Sequence, residues 1–178
     1  MSRKVVLYIA ISMDGYIADE HGNINWIERH VETLEEDYHY ETFFSKIDTV
    51  ILGRKTYDQI VNELSPNAYP YKGTKSYVLT SKKEENQEEI AFVNEDVIEL
   101  VSKLKKETGK DIWIVGGSQI AMSLVKENMI DEYQIAIIPV LLGKGIPLFT
   151  PFNKEIGLRL KSVDAKNGII YTKYTNHH

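Results

Sequence analysis

Two short stretches place glycine where an apolar run gives way to a helical pattern: Val50-Ile51-Leu52-Gly53-Arg54-Lys55-Thr56-Tyr57 and Ile112-Trp113-Ile114-Val115-Gly116-Gly117-Ser118-Gln119-Ile120. A helix N-terminus presents unpaired backbone N–H groups and a partial positive charge, and glycine lets an anion approach the backbone closely. Two such junctions, one bearing Arg54 and Lys55, suit a ligand with several phosphates, a dinucleotide more than a single anion. Gly116-Gly117 is the more telling, because consecutive glycines cost conformational entropy and supply no packing. Gly53-Arg54-Lys55-Thr56 taken alone is equally compatible with an ordinary helix start carrying solvated cations. Neither junction fits the G-x-G-x-x-G fingerprint or the P-loop pattern. Asp14 is the candidate catalytic group, since it stands at the carboxyl end of the first apolar run, where ligands of open α/β sheets gather. A plain turn carboxylate before Gly15 is the open alternative. The chain has no cysteine, and His30 and His39 lack i,i+4 spacing, so no thiolate chemistry or metal site is expected.

Hydrophobic periodicity indicates the elements that must hold these residues. Residues 5–12 read as a strand buried on both faces, and residues 17–23 as a loop. A charged stretch over 28–46 carries a loose helical stripe of Leu34, Tyr38, Phe43, Phe44 and Ile47. Strands are expected at 49–52, 76–80, 91–93, 112–115 and 132–138, the last stopped by Pro139. Helices are expected at 55–64 and 118–127. A further helix is expected to be capped by Asn94, to bury Val97, Leu100, Val101 and Leu104, and to close at Gly109. Residues 65–73, with Tyr69-Pro70-Tyr71, read as a loop that either faces substrate or packs on the sheet. Residues 158–163 and 169–174 read as a hairpin turning at Asn167-Gly168. Strands alternating with helices and then a run of strands imply an α/β fold. The expected form is a three-layer α/β/α sandwich over a mixed, mostly parallel central sheet with an antiparallel C-terminal hairpin.

At 178 residues the whole span 1–178 is expected to be a single domain. Hydrophobic residues at 43% and charged residues at 26% are ordinary for a folded chain. A formal net charge of -5 gives no overall attraction to nucleic acid. Asp14 and Gly15 interrupt the first apolar run before it could serve as a leader or a membrane span. A cytoplasmic protein without nucleic-acid or membrane partners is the expectation.

Six segments taken in order carry a family resemblance. The stretch from Val50 to Tyr57 resembles the segment of dihydrofolate reductases that meets the NADPH phosphates. Ser76-Tyr77-Val78-Leu79-Thr80-Ser81 is similar to their next strand, and Ile114-Val115-Gly116-Gly117-Ser118-Gln119-Ile120 to their diglycine turn. Ser12-Met13-Asp14-Gly15-Tyr16-Ile17-Ala18, Ile130-Asp131-Glu132-Tyr133 and Ile138-Pro139-Val140-Leu141-Leu142-Gly143-Lys144-Gly145 resemble the sister family. That family is the reductase domain of the riboflavin-pathway deaminase-reductases.

The resemblance implies an NADPH-dependent oxidoreductase that transfers hydride to a small heterocyclic substrate. Its nearest analogue is the 5-amino-6-(5-phosphoribosylamino)uracil reductase step of riboflavin biosynthesis. A dihydrofolate or pterin reductase, or a non-catalytic NADP(H)-binding or sensing module, is the alternative. It implies that Ala10 and Ile17 flank the nicotinamide, and that Gly53, Arg54, Lys55 and Thr56 meet phosphates. Leu79 and Thr80 would lie against the adenosine, with Ser81 near its 2′-phosphate, and Val115 to Ile120 would cradle the pyrophosphate. Such a reaction needs no protein nucleophile, only reactants held in contact in a dry site. The chain departs from the folate enzymes after Trp26, where an aliphatic residue stands near their acid position; Glu28 and Glu32 are the substitutes in reach. The loop 141–145 lies near the active site and dimer interface of the riboflavin-type enzymes, so a homodimer is implied.

Overall fold

The apolar runs become the strands of one eight-stranded sheet, described here from a computed structural model covering residues 2–30 and 38–177. Glu32 and Leu34 lie outside the described residues. The elements in chain order are β1 (Val5–Ser12), β2 (Tyr16–Ala18), α1 (Trp26–Arg29), α2 (Tyr38–Phe44), β3 (Ile47–Gly53) and α3 (Arg54–Gln59). They continue with β4 (Lys75–Leu79), β5 (Ile90–Val93), α4 (Val97–Leu104), β6 (Asp111–Gly116), α5 (Ser118–Lys126), β7 (Glu132–Ile138), β8 (Ile146–Pro147), β9 (Leu158–Lys166) and β10 (Ile169–Asn176).

Alternation along the central strands sorts side chains to two apolar faces. Val5, Leu7, Ile51, Ile112 and Ile114 pack under α4 and α5, against Leu100, Val101, Leu104, Leu124 and Val125. Val6, Val50, Leu52, Val78 and Trp113 pack on the opposite face against Phe43 of α2 and Tyr57 of α3. With both faces covered, the inner strands need no polar side, which is why they read as continuous apolar runs. The strand order is β5-β4-β3-β6-β1-β7-β10-β9. The first six run parallel; β10 is antiparallel to its neighbour β7, and β9 is antiparallel to β10 in turn. The three-layer α/β/α architecture with a mostly parallel sheet and an antiparallel C-terminal hairpin is therefore present as expected. The chain steps outward through β3, β4 and β5 and then returns to lay β6 between β3 and β1. Such a reversal opens a crevice at the carboxyl ends of the strands, where open α/β sheets bind ligands.

Several local expectations are corrected. The helix after β5 is capped by Asp96, whose Oδ1 accepts from Ile98 N at 2.8 Å and Glu99 N at 3.3 Å, and not by Asn94. It ends at Leu104 rather than near Gly109. The expected helix over 55–64 is α3 followed by a wide π turn at Ile60–Leu64, closed by Ser65 N donating to Ile60 O at 2.8 Å. Residues 17 and 18, read as loop, belong to β2, which pairs antiparallel with β8. The loop at 65–73 packs on the sheet: Tyr71 is buried against Trp113, with ring centroids 5.1 Å apart, and Tyr69 donates to Ser76 Oγ at 2.8 Å.

Candidate functional site

The two glycine junctions lie side by side at the carboxyl edge. Leu52 is the register partner of Gly116, and Gly53 of Leu79. A Cβ on Gly53 would stand 3.1 Å from Ile120 Cδ1 and 3.9 Å from Gly116 O and Gly117 N. A Cβ on Gly117 would stand 3.6 Å from Thr56 Oγ1. The end of β3, the start of α3, the end of β4 and the diglycine turn thus form one continuous rim. Gly116 has φ +128 and is joined to Gly117 by a cis peptide. That φ is open to glycine and strained for other residues, and nothing stands within 4 Å of a Cβ built there. Gly116 itself is buried, and only a side chain added there would reach open space. Gly117 caps α5, and its carbonyl accepts from Ala121 N at 3.2 Å.

Arg54 is the first residue of α3. Its Nε donates to Asp58 Oδ1 at 2.8 Å, and its Nη1 donates to Glu84 on the loop after β4. Its Cζ lies 5.6 Å from the Phe92 ring centroid and 5.9 Å from that of Tyr57. The carboxylates of Glu84 and Asp58 raise the pKa of the guanidinium above its usual value, so it stays a cation. Lys55 and Ser81 are exposed, and Thr80 Oγ1 accepts from Lys82 N at 3.1 Å. Val115 is partly buried and packs on the α2–α3 face. Gln119 is exposed on the first turn of α5.

At the end of β1, Asp14 is an acceptor for three donors. Ser12 Oγ donates to Oδ1 at 2.6 Å, Leu142 N to Oδ1 at 3.1 Å and Gly143 N to Oδ2 at 2.8 Å. These bonds, the Ser12 hydroxyl foremost, hold the carboxyl below its usual pKa. Tyr16 N donates to Ser12 Oγ at 2.9 Å, so Ser12 and Asp14 together tie the β1–β2 turn to the glycine loop. Ile17, next along on β2, packs against the α4–α5 core.

Ala10 opens onto a second feature. It is the register partner of Ala136, which is in turn the partner of Tyr171 on β10. Ala136 and Tyr171 line a cavity of about 230 Å³ beneath α2, together with Tyr8, Phe43, Gln134 and His39. His39 stacks on Tyr171 with ring centroids 4.1 Å apart, and its Nε2 lies 3.0 Å from Asp164 Oδ2. Trp26 packs with Ala10, Ala136 and Tyr171 in the same cluster. The indole is 2% exposed, and its Nε1–H has no hydrogen-bond partner. Glu28, one proposed substitute acid, is exposed on α1.

The expected cofactor residues from Gly53 to Thr56, from Leu79 to Ser81 and from Val115 to Ile120 thus belong to the ends of three adjacent strands. Ala10 stands one strand further along. Sequence reasoning missed Glu84, Asp58, the Trp26 donor and the His39–Asp164 pair. The Arg54–Asp58 spacing of four was a readable helix signal. His39 and Asp164 are separated by 125 residues and carry no local signal. Among the described residues, no cluster of three or more His, Cys, Asp or Glu side chains could hold a metal ion. No helix among them is long and apolar enough to cross a membrane.

The chemistry of the rim fits a dinucleotide carrying several phosphates. The open space beside Gly116 suits a pyrophosphate, and a multidentate cation at Arg54 suits a further phosphate.

Comparison with known proteins agrees in outline. The chain is 45% identical over 162 residues to the uncharacterized protein YwjB of Bacillus subtilis (strain 168), covering 90% of this chain and 91% of that one. Its structure is similar to that of a putative riboflavin biosynthesis protein from Shewanella sp. PV-4, with a TM-score of 0.86, 25% identity and full coverage of both chains. It shares its fold with dihydrofolate reductase from Enterococcus faecalis, solved with NADP(H) and RAB-propyl, at a TM-score of 0.66, 21% identity and full coverage of both. Residues 3–170 match the RibD C-terminal domain, and the chain belongs to that family.

Proposed function

We propose that the chain is an NADPH-dependent reductase of a small planar heterocycle, most like the 5-amino-6-(5-phosphoribosylamino)uracil reduction of riboflavin biosynthesis. The observation that carries the proposal is the convergence of both glycine junctions on one rim, with Gly53 packed against Ile120 and Gly117 against Thr56. In this proposal Gly116, Gly117, Ser118, Gln119 and Ile120 hold the pyrophosphate with Val115 behind them. Gly53, Arg54, Lys55 and Thr56 meet phosphates. Leu79, Thr80 and Ser81 take the adenosine end, and Ala10 and Ile17 flank the nicotinamide. The bound cofactor supplies hydride. The chain's own part is to bind, orient and exclude water. The substrate ring enters the cavity beside Ala136 and Tyr171. Asp14 acts here as the carboxylate that fixes the loops at this end of the crevice; its depressed pKa suits an acceptor rather than a proton donor.

A cytoplasmic homodimer completes the proposal. Register places Leu158, Leu160, Val163 and Ile170 on one face of the β9–β10 hairpin. Leu160, Val163 and Ile170 are 52%, 60% and 43% exposed, an apolar edge face of the kind that a second copy covers. Sedimentation velocity on Leu160→Glu/Val163→Lys tests it: a dimer that becomes a monomer is expected, and a wild-type monomer removes the assembly.

The cofactor assignment is tested by fluorescence titration with NADPH, followed by NADPH oxidation over a panel of aminouracils, pterins and dihydrofolate. Tight NADPH binding, weakened about tenfold or more by Arg54→Ala, is expected. Absence of NADPH binding would sink the proposal. One observation favours a non-catalytic binding module: Glu28, the described substitute for the missing acid, faces solvent. NADPH binding with no oxidation across the panel is the outcome that selects it.

A further inference from the structure

We infer that Glu84 is a displaceable counter-ion that competes with the cofactor's 2′-phosphate for Arg54 and so weakens discrimination between NADPH and NADH. The inference rests on the cofactor assignment above and concerns a residue outside it.

The two carboxylates on Arg54 are placed differently. Asp58 is one turn along the same short helix and engages Nε, so it fixes the direction of the guanidinium without leaving its own element. Glu84 reaches the Nη1 end from a different element, the loop between β4 and β5. Residues 81–88 of that loop are all exposed, and β5 begins only at Ile90. The contact between Glu84 and Arg54 is therefore an ion pair at the mouth of the rim, cheap to open.

A guanidinium offers five N–H donors in one plane, and its terminal nitrogens are the natural grip for a phosphate. With Nε taken by Asp58, a 2′-phosphate approaching from the adenosine side must use the terminal nitrogens, and there it meets Glu84. A phosphate near two negative charges and a carboxylate cannot share that end without mutual repulsion, so NADPH must push Glu84 aside. NADH brings only a ribose 2′-hydroxyl, which donates to a carboxylate and leaves the ion pair standing. Acidic side chains take that hydroxyl in NAD sites, whereas arginine takes the phosphate in NADP sites. Arg54 and Glu84 place both devices at one position.

The test measures dissociation constants for NADPH and NADH, and for adenosine 2′,5′-bisphosphate and 5′-AMP, on wild type, Glu84→Gln, Glu84→Ala and Arg54→Gln. Both Glu84 variants are expected to tighten NADPH and the bisphosphate about threefold to tenfold while leaving NADH and 5′-AMP unchanged or weaker. Arg54→Gln is expected to abolish the preference for phosphate. An NADPH-to-NADH ratio unmoved by either Glu84 variant, with Arg54→Gln still abolishing the preference for phosphate, overturns the role of Glu84 and leaves the cofactor assignment standing. A wild type that binds neither nucleotide overturns both.

Discussion

Along β3, β4 and β6 the groups of the proposed cofactor rim are mostly backbone: the turn at Gly53, the diglycine turn at Gly116 and the start of α5. Between α2 and β10 the lining groups are side chains: Tyr8, His39, Gln134 and Tyr171, brought together from four elements. In the function proposed above, the first region recognises what is common to a class of ligand, namely phosphates on a dinucleotide, and the second recognises the shape of one ring. Backbone recognition demands glycine at fixed places and so leaves a mark in sequence. Side-chain recognition demands only that distant residues meet, and many residue types satisfy it. One half of the crevice is generic and the other is particular, which is how a single fold serves many substrates.

If the halves are separable, damage to one should spare the other. The largest effect is expected from Phe43→Ala. Phe43 is buried, stacks on Tyr8 at 4.2 Å between centroids and meets Trp113 edge-on at 5.1 Å. Its removal should cost about 3–5 kcal/mol in urea unfolding and raise substrate KM, while the folded fraction keeps its NADPH affinity. Equal loss of cofactor binding would join the two regions into one unit. Gly116→Ala should do the reverse. At φ +128 an alanine costs about 1–3 kcal/mol, and its methyl projects into the open side of the rim. NADPH affinity should fall about tenfold or more with substrate KM little changed. A variant that binds NADPH normally would show that the rim does not carry the pyrophosphate.

A smaller effect is expected at the His39–Asp164 pair, which is only partly buried. Asp164→Asn should change stability by about 1 kcal/mol or less and raise substrate KM severalfold by letting His39 leave the face of Tyr171. An unchanged KM would take the cavity out of substrate binding.

The same division explains what was legible in the sequence. The buried strands, α5, the hairpin at Asn167-Gly168 and the diglycine turn are written in apolar runs and glycines, local signals that tertiary packing reinforces. β2 and β8 were not legible, because Tyr16–Ala18 and Ile146–Pro147 are too short to show a period and exist only by pairing with each other. Asn94 and Asp96 are both good cap residues two positions apart, and only the hydrogen bonds to Ile98 N and Glu99 N choose between them. Of the two substitutes for the acid beyond Trp26, Glu28 is exposed and Glu32 lies outside the described residues. The cavity and its His39–Asp164 pair depend on β9, which follows α2 by more than a hundred residues, and no periodicity reports such a meeting.

Asp14 lies where the halves join, and its substitution should have the smallest effect on stability and the most diagnostic effect on pH dependence. Its folded pKa is depressed, so the loop tie is fully present above the unfolded carboxyl value of about 4 and is lost as pH falls through the lower folded value. The Leu142 and Gly143 amides, which donate to it, should therefore stay protected from hydrogen exchange at neutral pH and open in acid. In Asp14→Asn the amide oxygen still accepts one or two of these bonds but no longer as an anion, so the protection should weaken at every pH and lose its acid dependence. Steady-state kinetics then separates the two roles open to this carboxylate. As a tie, Asn at position 14 should raise KM and leave the shape of the pH–rate profile intact. As the proton donor, it should remove a limb of that profile and collapse kcat, and that result would move Asp14 from the frame of the crevice into its chemistry.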